Sequence, residues 1–245
     1  MKKAYQKYLD HLQTKLGIVY EQEEKIELAA IWVSNCLQQG GYIYTSGTGH
    51  SHMFAEEIFY RAGGFARVVP ILDEALMLHK DASYSTEVER REGYAAQILK
   101  DYAIGEKDIF IISSNSGRNT VSIEMAMIAK KKGAKVIVIT NLKHTSSVDS
   151  RHESGKKLYE ISDLYFDNGG EIGDAAVEIK GLEFKVGATS TVIGVSILQS
   201  IMVQATENLI HAGVMPEVFS SSNSDEGEEH NEALIHKYKG IIKGL

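Results

Sequence analysis

The sequence has a single cysteine, Cys36, so no disulfide can form within the chain. Its place on a helical stripe reads as a small buried apolar residue and not as a reactive thiol. No run of about 18 apolar residues occurs, so no membrane-spanning helix is expected. The start, Met1-Lys2-Lys3-Ala4-Tyr5-Gln6, leads into a polar amphipathic segment without the apolar centre of a signal peptide, and a cytoplasmic protein is expected. Basic charge is scarce as well: 26 Lys and Arg stand against 33 Asp and Glu, a net charge of −7. That argues against the broad basic footprint of a nucleic-acid binder. An anionic small ligand remains open, because local donors decide that affinity. Internal repeats, low-complexity tracts and linkers are also lacking. The 245 residues therefore read as one domain over 1–245.

What is present alternates. Residues 1–39 read as a pair of amphipathic helices, with Tyr8, Leu12 and Leu16 on one stripe and Ile26, Ala29, Ala30, Val33 and Leu37 on the other. The core follows over 40–213. Short apolar runs at Tyr42–Thr45, Arg67–Ile71, Asp108–Ser113, Lys135–Thr140 and Asp163–Asp167 read as strands, with a further extended piece near Ala176–Ile179. Helical patterns separate them at His50–Ala62, across most of Leu72–Tyr102, at Asn119–Lys132 and at Thr191–His211. A loop and a last helix from about Glu229 to Ile242 occupy 214–245. This alternation implies an α/β fold: a doubly wound, five-stranded parallel sheet in the flavodoxin-like order 2-1-3-4-5.

Two polar turns stand out, each after an apolar strand and before a helix. They are Ser46-Gly47-Thr48-Gly49-His50-Ser51 and Ser113-Ser114-Asn115-Ser116-Gly117-Arg118-Asn119-Thr120. Small residues let the backbone close on a ligand, while hydroxyls and the free N–H groups of a helix start donate to an anion. In the order 2-1-3-4-5 the switch point lies between strands 1 and 3, so the two turns meet across one crevice. Other readings of these turns fail in detail. Gly47-Thr48-Gly49 opens like a dinucleotide fingerprint, but His52 takes the third glycine's place. No Gly-Lys-Ser/Thr follows, and the final glycine of a nucleophile elbow is missing.

These residues resemble the sugar isomerase (SIS) domain family, with the match on Ser114-x-Ser116-Gly117 the most specific. The whole chain looks like a UPF0309-like, stand-alone bacterial subgroup. Its signatures are Gly49-His50-Ser51-His52, Glu56 to Gly64, Gly173-Asp174-Ala175 and the tail around Asn223 to Asn231. The resemblance implies a phosphorylated sugar as ligand, no cofactor, and self-association as a homodimer or homotetramer. It implies that Ser46, Gly47, Thr48, Gly49, His50, Ser51, Ser114, Asn115, Ser116, Asn119 and Thr120 form the phosphate site. The resemblance further implies that Thr189 and Ser190, opening the long helix, contact substrate.

Aldose–ketose isomerisation through an enediol needs a carboxylate or imidazole base and polar groups on the carbonyl oxygen. Glu57 is the favoured base, because it shares a helix face with Phe54 and Arg61 and matches the base position of phosphoheptose isomerases; Glu56 is the alternative. His52 and His230, the latter from the same or a neighbouring chain, are candidate imidazoles. Asp167, Glu171 and Asp174 match no calcium-loop spacing and read as turn and cap residues, so no metal is expected. Two other functions stay open: a phosphosugar sensor without catalysis, and an etherase-like lyase acting on N-acetylmuramic acid 6-phosphate.

Overall fold

Strand β3 (Ile109–Ser113) is buried along its whole length, and this central position organises the sheet. In the computed structural model, which describes residues 2–222 and 225–245, β3 is flanked by β1 (Ile43–Gly47) and β4 (Lys135–Thr140). β2 (Val68–Ile71) and β5 (Leu164–Asp167) form the edges, and every pairing is parallel. The order is therefore β2-β1-β3-β4-β5, as the sequence pattern predicts. Strands covered on both faces need apolar side chains in both directions, which is why Ile-Phe-Ile-Ile and Val-Ile-Val-Ile runs occur without alternation.

Two apolar layers cover the sheet. On one face, α1 (Ala4–Tyr20), α2 (Glu23–Gln38), α3 (Met53–Ile58) and α9 (Ser190–His211) pack around Ile43, Ile111, Ile139 and Phe166. On the other face lie α4 (Ala82–Val88), α5 (Tyr94–Leu99), α6 (Thr120–Lys131), α8 (Leu158–Ile161) and α10 (Asp225–Tyr238). Their core includes Tyr44, Phe110, Ile112, Met125 and Val138. The short α7 (Leu142–Ser146) follows β4. A small antiparallel hairpin joins β6 (Ala175–Val177) to β7 (Val186–Ala188). Cys36 is buried within the first of these layers, and burial first, then the Asp108 carboxylate, pushes its thiol up to about 12. Among the described residues no helix is long and apolar enough to cross a membrane.

Three segments depart from the expected pattern. The helix expected over His50–Ala62 is a 3-10 turn at Gly49–His52 followed by α3, which stops at Ile58. There Phe59 turns extended and Tyr60 takes a φ of 45°, which sets its ring 5.0 Å from Phe219. The expected helix across Leu72–Tyr102 is broken into a 3-10 turn, α4 and α5. The Asp73 and Asp81 carboxylates accept the N–H groups of Ala75 and Tyr84 and start new turns, and Gly93 at φ 73° interrupts again. The last helix begins earlier and ends earlier than expected. Asn223 and Ser224, part of the expected tail signature, lie outside the described residues.

Gly194 shows how closely α9 is docked. A Cβ there would stand 2.3 Å from the Phe54 ring of α3 and 3.4 Å from Ile139 of β4. Gly194→Ala is expected to destabilise the fold by about 1–3 kcal/mol through overpacking, read by urea denaturation. An unchanged midpoint would show that Phe54 yields freely.

Candidate functional site

A cavity of about 370 Å³ opens beyond the carboxyl ends of β1 and β3. The ladder sets this directly, because Gly47 stands opposite Ser113 and the two polar turns leave the sheet side by side. Thr48, His50 and Ser51 line the cavity from the first turn, and Ser113, Ser114, Asn115, Ser116 and Asn119 from the second. The first turn is tight: a side chain at position 47 would lie 2.3 Å from the Ser51 carbonyl oxygen. In the second, Gly117 takes φ 58° and donates its N–H to Ser114 Oγ at 3.2 Å. Asn119 is the N-cap residue of α6, yet its side chain accepts from the Arg151 guanidinium at 2.6 Å instead of capping. The hydroxyls of Ser51, Ser113 and Ser116 make no hydrogen bond among the described residues, and that of Ser113 is fully buried.

The remaining walls come from elsewhere in the chain. Glu89, just past α4, accepts from the Thr48 hydroxyl at 2.7 Å. His144 of α7 lines the far side with Asn168, Gly173 and Asp174. The Gly173 N–H donates to His144 Nδ1 at 2.9 Å. Asp174 holds φ 71° and accepts from the N–H groups of Thr189 and Ser190 at 3.0 and 2.9 Å and from the Ser190 hydroxyl at 2.5 Å. A carboxylate of the chain's own therefore fills the N-terminus of α9.

Of the expected binding residues, Thr48, His50, Ser51, Ser114, Asn115, Ser116, Asn119 and Ser190 share this cavity. Gly47 and Gly49 shape the first turn without lining it; Gly49 takes φ 56°. Ser46 turns into the core and donates to the Ile71 carbonyl at 3.3 Å. Thr120 is fully buried and donates to the Arg151 carbonyl, and the buried Thr189 hydroxyl finds no partner among the described residues. None of the four expected proton-transfer residues lines the cavity. Glu57 faces α9, where Gln199 donates to it at 2.9 Å, and it pairs with Arg61 at 2.9 Å. Glu56 lies half-exposed, 3.5 Å from His52, whose Nδ1 is bound to the Gly49 carbonyl. His230 bonds the Val218 carbonyl at 2.8 Å on the outside of the fold. The buried face of α3 docks on α9, and Glu57 lies on the side of that contact.

Residues 5–141 match the sequence model of the SIS domain, more than half of the 245 residues. A UPF0309 protein of Halalkalibacterium halodurans is 44% identical over 239 residues, 97% of this chain and 99% of that one. A UPF0309 protein of Listeria innocua is 42% identical over 226 residues, 92% of each chain. The chain belongs to the SIS domain family. Among solved structures, a phosphoheptose isomerase from Francisella tularensis superposes with a TM-score of 0.53 and 15% identity. The match covers 84% of this chain and all of that one, a likeness of fold.

This SIS domain carries polar groups at the cavity that the turn motifs alone do not reveal: Glu89, His144, Asn168 and Asp174. A positional signal exists for His144, which lies four residues past the end of β4, at the rim where ligands sit in such sheets. Its ionisation follows from its surroundings. Burial first, then the Arg118 and Lys157 charges, hold the imidazole below its ordinary value of 6.5, and Asp174 opposes them only in part. A backbone N–H can only donate, so Nδ1 carries the lone pair and the ring proton sits on Nε2. His144 is thus a neutral donor through Nε2 at pH 7. Among the described residues, no three or more His, Cys, Asp or Glu side chains gather with metal-holding geometry.

Nitrogen-15 NMR is expected to show His144 protonated at Nε2 at neutral pH, with a titration midpoint below 6.5. A midpoint above that value, or a proton on Nδ1, would contradict the Gly173 contact.

Proposed function

We propose that this SIS domain binds a phosphorylated sugar in the cavity and interconverts its aldose and ketose forms through an enediol. The observation that carries the reading is the convergence of two kinds of group on one cavity. Ser114, Ser116 and Asn119 stand with the N-terminus of α6, which has no side-chain cap although its Val121 N–H is bonded to the Glu89 carbonyl, a combination suited to a phosphate dianion. Glu89 and His144 line the same cavity, a carboxylate and a neutral imidazole donor. The SIS family and the fold shared with the Francisella phosphoheptose isomerase agree with this reading.

In the proposed reaction the Glu89 carboxylate takes the proton from C2 while His144 Nε2 donates to the C1 carbonyl oxygen. The electron pair of the broken C–H bond forms the C1–C2 double bond of the enediol. Glu89 then returns its proton to C1, and the O2 proton passes back to His144, leaving the ketose and the enzyme as they began. Thr48 steadies Glu89 through the 2.7 Å hydrogen bond. This assignment replaces Glu57 as base, since Glu57 is engaged by Arg61 and Gln199 away from the cavity.

Self-association belongs to the same proposal. Leu16, Tyr20 and Val203 are 39%, 82% and 68% exposed along one groove between α1 and α9, an apolar strip that a second copy would cover. Sedimentation is expected to give a dimer or tetramer, and a monomer at high concentration would reject it.

The catalytic proposal is tested with a panel of pentose, hexose and heptose phosphates. At least one should raise the melting temperature, and that compound should exchange its C2 hydrogen with deuterated solvent. Glu89→Gln should retain the melting shift and slow the exchange by about 10²–10⁴-fold. Absence of any shift would remove the ligand class. Exchange unaffected by Glu89→Gln would remove Glu89 as base, and binding without exchange would make the domain a sensor.

A further inference from the structure

Three arginines gather around the first turn of α6 without a carboxylate partner. Arg118 lies in the β3–α6 loop, and its carbonyl accepts the Arg151 N–H at 2.9 Å. The Arg151 guanidinium donates to Asn119 Oδ1 at 2.6 Å, so it stands directly behind a residue of the cavity wall. Arg90 follows Glu89, whose carbonyl accepts the Val121 N–H at 3.1 Å and ties that segment to the same helical turn. The three charges feel one another. Burial first, then Arg118 and Arg90, lower the basicity of Arg151, with only Glu89 acting the other way.

Such a cluster normally recruits carboxylates, and this one does not. Among the described residues none of the three arginines forms an ion pair. Glu89, the nearest acidic group, is taken by the Thr48 hydroxyl instead. The Nε of Arg118 is buried and has no hydrogen-bond partner among the described residues. A planar guanidinium presents paired N–H donors suited to oxyanions, and a buried unpaired donor costs free energy until an acceptor arrives. The cluster is set apart from the hydroxyl cradle: the cradle is lined by Ser114, Ser116 and Asn119, and the arginines lie beyond Asn119.

We propose that Arg90, Arg118 and Arg151 form a second anion subsite at the rim, and that the ligand is a phosphosugar bearing a second anionic group, a carboxylate or a further phosphate. This rests on the phosphosugar reading above and narrows it to doubly anionic compounds. The sugar would span from the Ser114–Asn119 cradle to the arginines, with Glu89 between.

The test compares three probes by titration calorimetry at about 0.15 M salt, where weak surface attraction is screened. Glucose 6-phosphate carries one anionic group, 6-phosphogluconate adds a carboxylate, and fructose 1,6-bisphosphate adds a phosphate. At least one doubly anionic probe should bind about tenfold or more tightly than glucose 6-phosphate, and which one does so identifies the second group. The preference should fall to about threefold or less in Arg90→Gln and in Arg151→Gln, while the glucose 6-phosphate affinity changes little. Arg90→Gln disturbs no hydrogen bond, so it keeps the test meaningful if Arg151→Gln shifts Asn119. Lys239→Gln, exposed beyond α10, controls for net charge and should leave the preference intact. Equal affinity for all three probes, or a preference that survives both arginine variants, overturns the subsite while leaving the phosphosugar reading in place. If none of the three binds and the broader panel also fails, both readings fall together.

Discussion

The pairing of β1 with β3 is the constraint on which the rest of the site depends. Parallel neighbours lie about 4.8 Å apart and must leave the sheet at the same end. With Gly47 opposite Ser113, the turns that follow are forced to share one rim. Two close approaches then shape the rim. Ser51 folds back over Gly47, where any side chain would collide, and Gly117 passes Thr145 so closely that a Cβ would lie 2.7 Å from its hydroxyl. The small residues of both turns are therefore steric requirements of this rim before they are ligand contacts.

The opposite side of the cavity is held by buried amides and not by strands. Asn168 donates to Asn115 Oδ1 at 3.0 Å, binding the loop after β5 to the loop after β3. Asn141 accepts the His144 N–H at 2.9 Å and donates to the Glu171 carbonyl at 3.0 Å. Glu171 is itself held low, first by Lys143 and then by Lys15, against the effect of burial. This chain of contacts fixes α7 against the 168–174 loop, and so fixes the imidazole of His144 against Gly173. A network of this kind is worth more than separate bonds, because each buried member would be costly if left unpaired.

Strands, sheet order and the place of the crevice were legible in the sequence, because uninterrupted apolar runs and glycine-bearing turns are local signals. Most of the cavity lining that comes from the two turns was legible for the same reason. The groups proposed for proton transfer were not. Glu56 and Glu57 sit on an apolar helical pattern that promises a longer helix, but the chain turns extended at Phe59 and sets the Tyr60 ring against Phe219. Which way a glutamate on such a helix points is decided by α9, more than 130 residues away, and local periodicity carries no trace of it. Glu89 reaches the cavity from a segment whose polar pattern suggests a surface helix, and His144 depends on a hydrogen bond to a glycine 29 residues further on. The register of long-range loops, and not residue type, hid them.

Two long helices begin at this cavity, yet they are not equivalent. The start of α9 already holds the Asp174 carboxylate, while the start of α6 has no side-chain cap, because Asn119 looks toward Arg151, and its Val121 N–H meets only the neutral Glu89 carbonyl. The chain has in effect plugged one of two sockets with its own anion. The cavity is therefore polar in the geometric sense, with one end that welcomes negative charge and one that repels it. An anion entering the cavity meets favourable terms at one helix start and the Asp174 carboxylate at the other, so charge alone distinguishes the two ends.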